Sequence, residues 1–441
     1  MGFTLGFHIV LASMGIAFPA IALIANWIGL RRGDPVALEL ARRWSKVMAV
    51  LFAVGAVTGT VLSFEMGLLW PGLMGRYGEV FGISFAIEAL FFFTEAIFIA
   101  IYIYGWRRLS PWAHFASGLP IVVSGLGGAL SVVSANSWMN QPGGFDVDAA
   151  GRVVAVHPVD VVFNGAAAYE IPHMVLGAYM VVGFLVASVY AVGMLRGRRD
   201  RHHRLGLAIP LSVAALATPV QIFVGDTAAR SIAHDQPVKF AAIEYVQRTT
   251  THAPEYLGGA LVGGKVRGAV KIPDLDSYLV GFSAGQRVKG LDTAKPADRP
   301  PAPTLLHLAF DAMVGLAFAL LALGAWWAIA WRRRRAPPEG RWFLRAVALS
   351  GVAAVAALEC GWIVTEVGRQ PWVVYQRLRT ADAVTTASGI WWSLAGVLVL
   401  YLALGVATGL VLRALARRWR DGDSDDAEVP YGPTAPEVAA P

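Results

Sequence analysis

The chain has 441 residues, 56% of them hydrophobic and only 15% charged, whereas soluble domains carry roughly 25% charged residues. That composition excludes a soluble globular enzyme, and because lipid admits only helices and closed barrels and no strand-length alternation is present, it predicts an all-α membrane protein. The net charge of +7 does not imply nucleic acid, since the basic residues sit in short clusters between apolar runs, and the single cysteine, Cys360, excludes a disulfide framework or a Cys-based metal site.

The first apolar run is too long for a cleavable signal peptide and lacks a basic leader region or a cleavage site. An apolar window of about 20 residues crosses the hydrocarbon core as a helix. About nine such spans are predicted, near residues 3–30, 46–69, 81–104, 113–135, 168–194, 204–225, 304–330, 343–365 and 389–413. Basic clusters fall on alternate connections: Arg31, Arg32, Arg42 and Arg43, then Arg107 and Arg108, then Arg196, Arg198, Arg199 and Arg201, then "RRRR" at 332–335, then "RALARRWR" at 413–420. Cytoplasmic loops carry the excess of Lys and Arg. All five clusters therefore predict an outside N-terminus and a cytoplasmic C-terminus.

That orientation puts three long connections outside: 136–167, 366–388 and 226–303. Long loops are usually functional or disordered. The first half of 226–303 mixes charge with apolar residues ("QPVKFAAIEYVQ") and is expected to be ordered. The expected organisation is helices 1–6 in 1–225, an extracytoplasmic loop in 226–303, helices 7–9 in 304–413 and a cytoplasmic tail in 414–441, acidic, Pro-rich and disordered beyond Asp421.

Ionisable residues inside a membrane are costly and mark function by default. His8, Glu65, Glu88, Glu95, His173, Asp311, Glu359 and Glu366 fall within or at the ends of spans, with Met313 two residues after Asp311. At 1.5 Å per residue, His8, His173, Met313 and Glu366 lie within about ten residues of an outer end. Four potential iron ligands on four helices thus share one half of the membrane. Glu88 and Glu95, two turns apart, occupy one helix face and form a candidate proton path. A membrane histidine also serves as an interhelical hydrogen-bonder and a methionine as packing; their shared depth favours the ligand reading. His114, His202 and His203 read as interfacial, and His307 points to a different face from Met313. Nitrogen and thioether ligands without cysteine fit heme better than zinc or iron–sulfur.

With these residues on the page, the chain resembles subunit I of the cytochrome bd-type quinol oxidases over nearly its whole length. The resemblance rests on "GWIVTEVGRQPW" (361–372), "FAIEAL", "ANSWMNQP", "GDTAAR…QPVKFAAIE" and "HLAFDAM", in that family's order apart from the first. It implies His173 and Met313 as the axial pair of a low-spin heme b, and His8 and Glu366 as ligands of two high-spin hemes: one heme b, with heme d or a further heme b as the other. Glu88 and Glu95 resemble its proton-delivery acids, Arg369 the arginine facing a heme propionate, and Lys239 and Glu244 the quinol-oxidising residues of the loop known as the Q-loop. It further implies a second large subunit, accessory single-span subunits, ubiquinol or menaquinol and O2 as substrates, and the bacterial cytoplasmic membrane.

Several departures from the family pattern stand out. The chain begins seven residues before His8, where the family usually has a stretch with an arginine and aromatic residues. The seven-residue Glu88–Glu95 spacing and "SFEMGLLWP" look closer to the cyanide-insensitive branch, and the 226–303 loop is of the short type. Asp311 stands where some members have arginine, which is expected to change the electrostatics beside Met313. The alternatives are a proton-coupled secondary transporter, for which no internal repeat is found, and a b-type electron-transfer subunit, which leaves Glu366 and Arg369 unexplained.

Overall fold

In the computed structural model the described residues are 1–420; the expected acidic tail beyond Asp421 lies outside them. Four long helices come first: α1 (Gly2–Arg32), α2 (Pro35–Leu69), α3 (Pro71–Gly105) and α4 (Pro111–Asn140). A small hairpin, β1 (Phe145–Val147) with β2 (Val153–Val156), and a short α5 (Pro158–Val162) lead into α6 (Ala167–Leu195) and α7 (Arg201–Asp235). The long connection holds α8 (Pro237–Ile243), β3 (Glu255–Leu257), β4 (Ala260–Val262), β5 (Lys265–Arg267), β6 (Val270–Ile272) and α9 (Leu275–Gly281). The chain closes with α10 (Pro303–Arg334), α11 (Arg341–Gly368), β7 (Trp372–Val374), β8 (Leu378–Arg379), α12 (Thr380–Ala383) and α13 (Ile390–Arg420).

Nine of these helices, among the described residues, are long and apolar enough to cross a membrane. They are the nine expected from the sequence, but most run past the apolar window. The extensions follow helix-start chemistry: Pro35, Pro71, Pro111 and Pro303 each open a helix, where proline's missing N–H costs nothing. Asp34 caps α2 by accepting from the backbone N–H of Val36 and Ala37. Helix α7 continues ten residues beyond its expected end, to Asp235. Residues 414–420, expected in the tail, are instead the last turns of α13, where Arg417, Arg418 and Arg420 suit the negative end of the helix dipole.

The bundle is centred on α6, which packs along α7, α11, α1 and α4. Without a hydrophobic force between helices in lipid, close approach through small residues carries much of the association. A methyl group at Gly183 of α6 would lie 2.6 Å from the Pro210 carbonyl oxygen of α7. Helix α13 is peripheral and anchors through Tyr401, whose hydroxyl donates to the Thr58 carbonyl at 3.1 Å. Trp391 and Trp392 on α13 are exposed.

One local expectation is corrected and another is met. His114 is not interfacial: it is fully buried, its Nε2 lying 2.7 Å from the Tyr102 carbonyl oxygen and its ring stacked on Tyr102 at 4.2 Å. The 226–303 loop, expected to be ordered in at least its first half, carries elements in both halves. Strand β3 pairs with β6, β4 with β5, and α8 packs against α7, α10 and α11.

Replacing Gly183 by Val is expected to destabilise the α6–α7 contact by about 1–3 kcal/mol through overpacking. Gly128→Ala, which meets nothing within 4 Å, serves as the control. Thermal unfolding of the purified protein in detergent, followed by tryptophan fluorescence, should show a lower midpoint for the first variant only.

Candidate functional site

A cavity of about 900 Å³ opens between α6, α7, α8, α9, α10 and α11. His173 from α6 and Met313 from α10 both line it, so the structure brings together the two residues singled out on separate helices. Glycines let α7 and α11 approach them. A methyl group at Gly225 would sit 3.3 Å from His173 Cε1, and one at Gly361 would sit 3.1 Å from Met313 Sδ. Gln221 Nε2 lies 3.2 Å from His173 Nδ1 and 3.3 Å from Nε2. An imidazole and a thioether opening into one largely apolar space is a donor set that fits a six-coordinate heme.

Above this pair lies a polar layer between α4, α6, α8 and α11. Asn136 donates to Glu366 Oε1 at 3.1 Å, and Arg369 donates to Glu366 Oε2 at 2.6 Å. Arg369 is only 4% exposed, yet its Nε and Nη1 find no acceptor among the described residues. Two orphaned guanidinium donors on a buried charge fit an anionic group such as a heme propionate. Glu170, three residues before His173, accepts from Asn140 at 2.7 Å. Lys239 of α8 is buried beside the end of α11, where a methyl group at Gly368 would meet its Cε at 2.9 Å. Burial lowers the Lys239 ammonium to about 8, with Glu170 opposing that shift.

His8, Glu88 and Glu95 belong to a different neighbourhood. His8 Nδ1 lies 2.9 Å from Thr58 Oγ1. The Thr58 hydroxyl has the Val54 and Gly55 carbonyls as acceptors at 3.1 Å. With its own hydrogen so directed, it accepts from His8 Nδ1–H and leaves Nε2 with a lone pair. Glu95 is buried, and its Oε1, without a partner among the described residues, is 3.8 Å from where a methyl group at Gly15 would stand. That is two turns along α1 from His8. Glu88 is half-buried, seven residues closer to the α3 start than Glu95. His8 and Glu366 are held by separate partners, on α2 for one and on α4 and α11 for the other.

The long loop carries a third group. Glu244, Glu255 and Asp276 are all buried and each offers an oxygen within 4.8 Å of the others. Burial, reinforced by Glu255 and Asp276, raises Glu244 well above the usual carboxylate range. His307 is fully buried, with Nδ1 2.7 Å from the Ile243 carbonyl oxygen and Nε2 3.1 Å from that of Gly258 and 3.3 Å from Asp311. Every one of those partners is an acceptor for a ring N–H. Asp311 accepts from the Gly258 backbone N–H at 2.5 Å. His307 and Asp311 thus fasten the loop to α10, and the Asp311 charge is met by these donors rather than left bare beside Met313.

The whole pattern matches, over residues 1–419, the family described as cytochrome bd terminal oxidase subunit I. The chain belongs to that family. It is 34% identical, over 97% of both chains, to a Bacillus subtilis (strain 168) protein bearing the provisional name cytochrome bd menaquinol oxidase subunit I. It is 29% identical to the cytochrome bd ubiquinol oxidase subunit 1 of the same organism, covering 98% of this chain and 95% of the relative. The bd oxidase structure from Geobacillus thermodenitrificans superposes with a TM-score of 0.87 at 32% identity, covering 95% of this chain and 96% of that one. Like its relatives, this subunit I is a multi-pass protein of the bacterial cytoplasmic membrane.

Sequence reasoning passes over Glu170, Glu255 and Asp276. Glu170 sits at the very start of an apolar window, where an acid reads as interfacial. The only available signal was its place one turn before His173.

Asp311→Ala removes the acceptor for the Gly258 N–H and the carboxylate 3.3 Å from His307 Nε2. Losing a hydrogen bond to a charged group costs about 1.5–3 kcal/mol, so local opening of the loop should rise roughly ten- to a hundredfold. Limited trypsin digestion at the exposed Lys265 and Arg267 should accelerate accordingly, with the bundle helices resisting as before.

Proposed function

We propose that this subunit I oxidises quinol on the outer side of the membrane and supports reduction of O2 to water with cytoplasmic protons, so that charge is separated without a pump. The observation that carries the reading is the single cavity lined at once by His173, Met313, Lys239 and Glu244. The residues proposed for quinol oxidation and those proposed to ligate the electron acceptor thereby line one space.

His173 and Met313 would hold a low-spin heme b, and His8 and Glu366 would each hold a high-spin heme, one of type b and the other of type d or b. When bound, these groups supply one-electron transfer and the iron at which O2 is reduced. The protein's part is positioning, charge compensation and proton movement. Thr58 fixes His8 with Nε2 available as the ligating atom. Asn136 and Arg369 hold the Glu366 carboxylate, and the spare donors of Arg369 face an anionic propionate. Lys239 orients a quinol oxygen while Glu244 accepts its proton, as general acid–base geometry requires. Glu95 and Glu88, on one face of α3, carry protons from the cytoplasmic side. The alternating basic clusters support this sidedness.

The family assembles as numbered subunits in the relatives' own names, and a second large subunit is the proposed partner here. The broadly exposed α2, α3 and α13 offer the apolar faces for it, for accessory single-span subunits or for lipid. Relatives named for menaquinol and for ubiquinol both match, so the substrate is assigned as a quinol by class.

Met313→Leu should remove the low-spin signature from the reduced-minus-oxidised optical spectrum and cut quinol oxidation more than about tenfold, one ligand of the electron-entry site being lost. A wild-type spectrum with a far-red chlorin band would assign heme d, and heme b bands alone the all-b form. An unaltered spectrum in Met313→Leu would overturn the ligand assignment.

The Lys239 ammonium exists below a pH of about 8 and is lost as the pH rises through that value. The KM for quinol should therefore climb above pH 8 in the wild type. Lys239→Arg, whose guanidinium stays charged, should flatten that limb. A flat wild-type KM across the range would remove Lys239 from the quinol site.

A further inference from the structure

Three acids far apart in sequence meet in the long loop, and the loop's fold is what joins them. Strand β3 begins at Glu255 and pairs antiparallel with β6 in the register Glu255↔Ile272. The chain then turns at Asp274 into α9, returning Asp276 to Glu255, while Glu244 stands at the end of α8. All three line the same cavity as His173 and Met313. Asp276 is fully enclosed, and neither of its oxygens has a hydrogen-bond partner among the described residues. Glu244, Glu255 and Asp276 bring oxygens within 4.8 Å of one another, Glu244 Oε2 has no hydrogen-bond partner, and no ion pair holds any of the three among the described residues.

Buried carboxylates that receive no cation cannot all be ionised. At least one proton must be held in the group, because three buried carboxylates with oxygens this close cannot all carry charge. The charged groups around the trio are accounted for elsewhere. From α10, His307 and Asp311 pair with each other and with loop backbone. From α7, Arg230 is paired with Asp226 through its Nε and Nη2, while its Nη1 has no partner among the described residues. Lys239, on the same α8, faces Glu170 and Glu366, and His252 pairs with Asp274 at the exposed edge of the loop.

We propose that Glu255 and Asp276 are a proton relay for Glu244, receiving the protons released when quinol is oxidised at this site. The inference rests on the quinol-site reading above. As a quinol O–H bond breaks, an O–H bond forms on Glu244, and the proton Glu244 already shares passes to Glu255. Two protons and two electrons leave per quinol converted to quinone, the electrons following the oxidase's own path to O2. Asp276 widens the group's capacity from one proton to two. Because Glu255 and Asp276 act through Glu244, they are positioning residues and not quinol contacts. Burial, with Glu255 beside it, raises Asp276 to about 8, and Glu255 is raised as well, chiefly by burial. Protons are thus shared within the group near neutral pH rather than lost to solvent.

The test uses the purified complete oxidase complex carrying Glu244→Gln, Glu255→Gln or Asp276→Asn. Redox-induced infrared difference spectra should show a carboxylic-acid C=O band that loses intensity in both Glu255→Gln and Asp276→Asn. In the same variants kcat for quinol should fall about ten- to a hundredfold, as for loss of a proton acceptor, with KM within about twofold and a displaced pH–rate profile. Optical spectra and trypsin resistance at Lys265 and Arg267 should match the wild type. If Glu244→Gln impairs oxidation while the other two variants leave the infrared band and pH profile unmoved, the relay is overturned and the quinol site stands. If Glu244→Gln also oxidises quinol normally, the quinol-site reading falls with it. If activity and the infrared band instead follow added CaCl2 and are abolished by EGTA, the trio binds a cation and the relay is overturned.

Discussion

A buried guanidinium and a buried ammonium cannot persist among membrane helices unless anions meet them, and this constraint organises the centre of the molecule. Arg369 and Lys239 are each about 4% exposed, and removal of an ion from water costs several kcal/mol even after relaxation. Glu366 and Glu170 supply the opposite charge, while Asn136 and Asn140 supply donors to the carboxylates. The four ionic residues come from α6, α8 and α11 and the two amides from α4. Helix α4 is thereby tied to α11 through Asn136 and Glu366 and to α6 through Asn140 and Glu170. The helices that carry His173 and Glu366 are therefore fixed relative to one another by electrostatics as well as by packing.

The long loop obeys the same logic. A loop lying on a membrane bundle brings backbone polar groups into a dry setting, where each must find a partner. His307 and Asp311 answer this by reaching from α10 to the Ile243 and Gly258 carbonyls and the Gly258 N–H. Tyr245 stacks against His307 at 4.0 Å and completes the seam. The consequence is that Glu244, at the end of α8, is held by a rigid element and not by a free loop. Asp311 illustrates how an apparent anomaly resolves: read beside Met313 it looks like a perturbing charge, whereas its carboxylate is occupied by the loop.

The parts of this arrangement that were legible in the sequence are those governed by local rules. Apolar windows fixed nine helices, and prolines and Asp34 explain where they begin beyond those windows. Ligand-type residues could be found because polar groups in an apolar stretch are conspicuous and their depth follows from the rise per residue. The illegible parts depend on long-range geometry. Glu255 and Asp276 lie outside every apolar window and are brought together only by the β3–β6 register. Glu170 sits at a helix start and gains meaning from Lys239, 69 positions later in the sequence. His114 looked interfacial because it follows a basic pair, yet aromatic neighbours on α3 and its own hydrogen bond draw it inside.

If quinol is oxidised in the main cavity, as proposed, the cavity's shape explains why oxidation and proton release would occur together. A space of about 900 Å³ whose walls are largely apolar admits a quinol ring only by excluding water, and excluding water strengthens every charge interaction within it. Under those conditions an electron cannot leave the quinol without its proton following, because a bare cationic intermediate would be stranded in a low-dielectric space. A proton acceptor must then lie in the same space as the electron path, and it must hold its proton without a permanent counter-ion. Glu244 would meet the first requirement through its place in the cavity wall, and the Glu255 and Asp276 oxygens within 4.8 Å of it would meet the second.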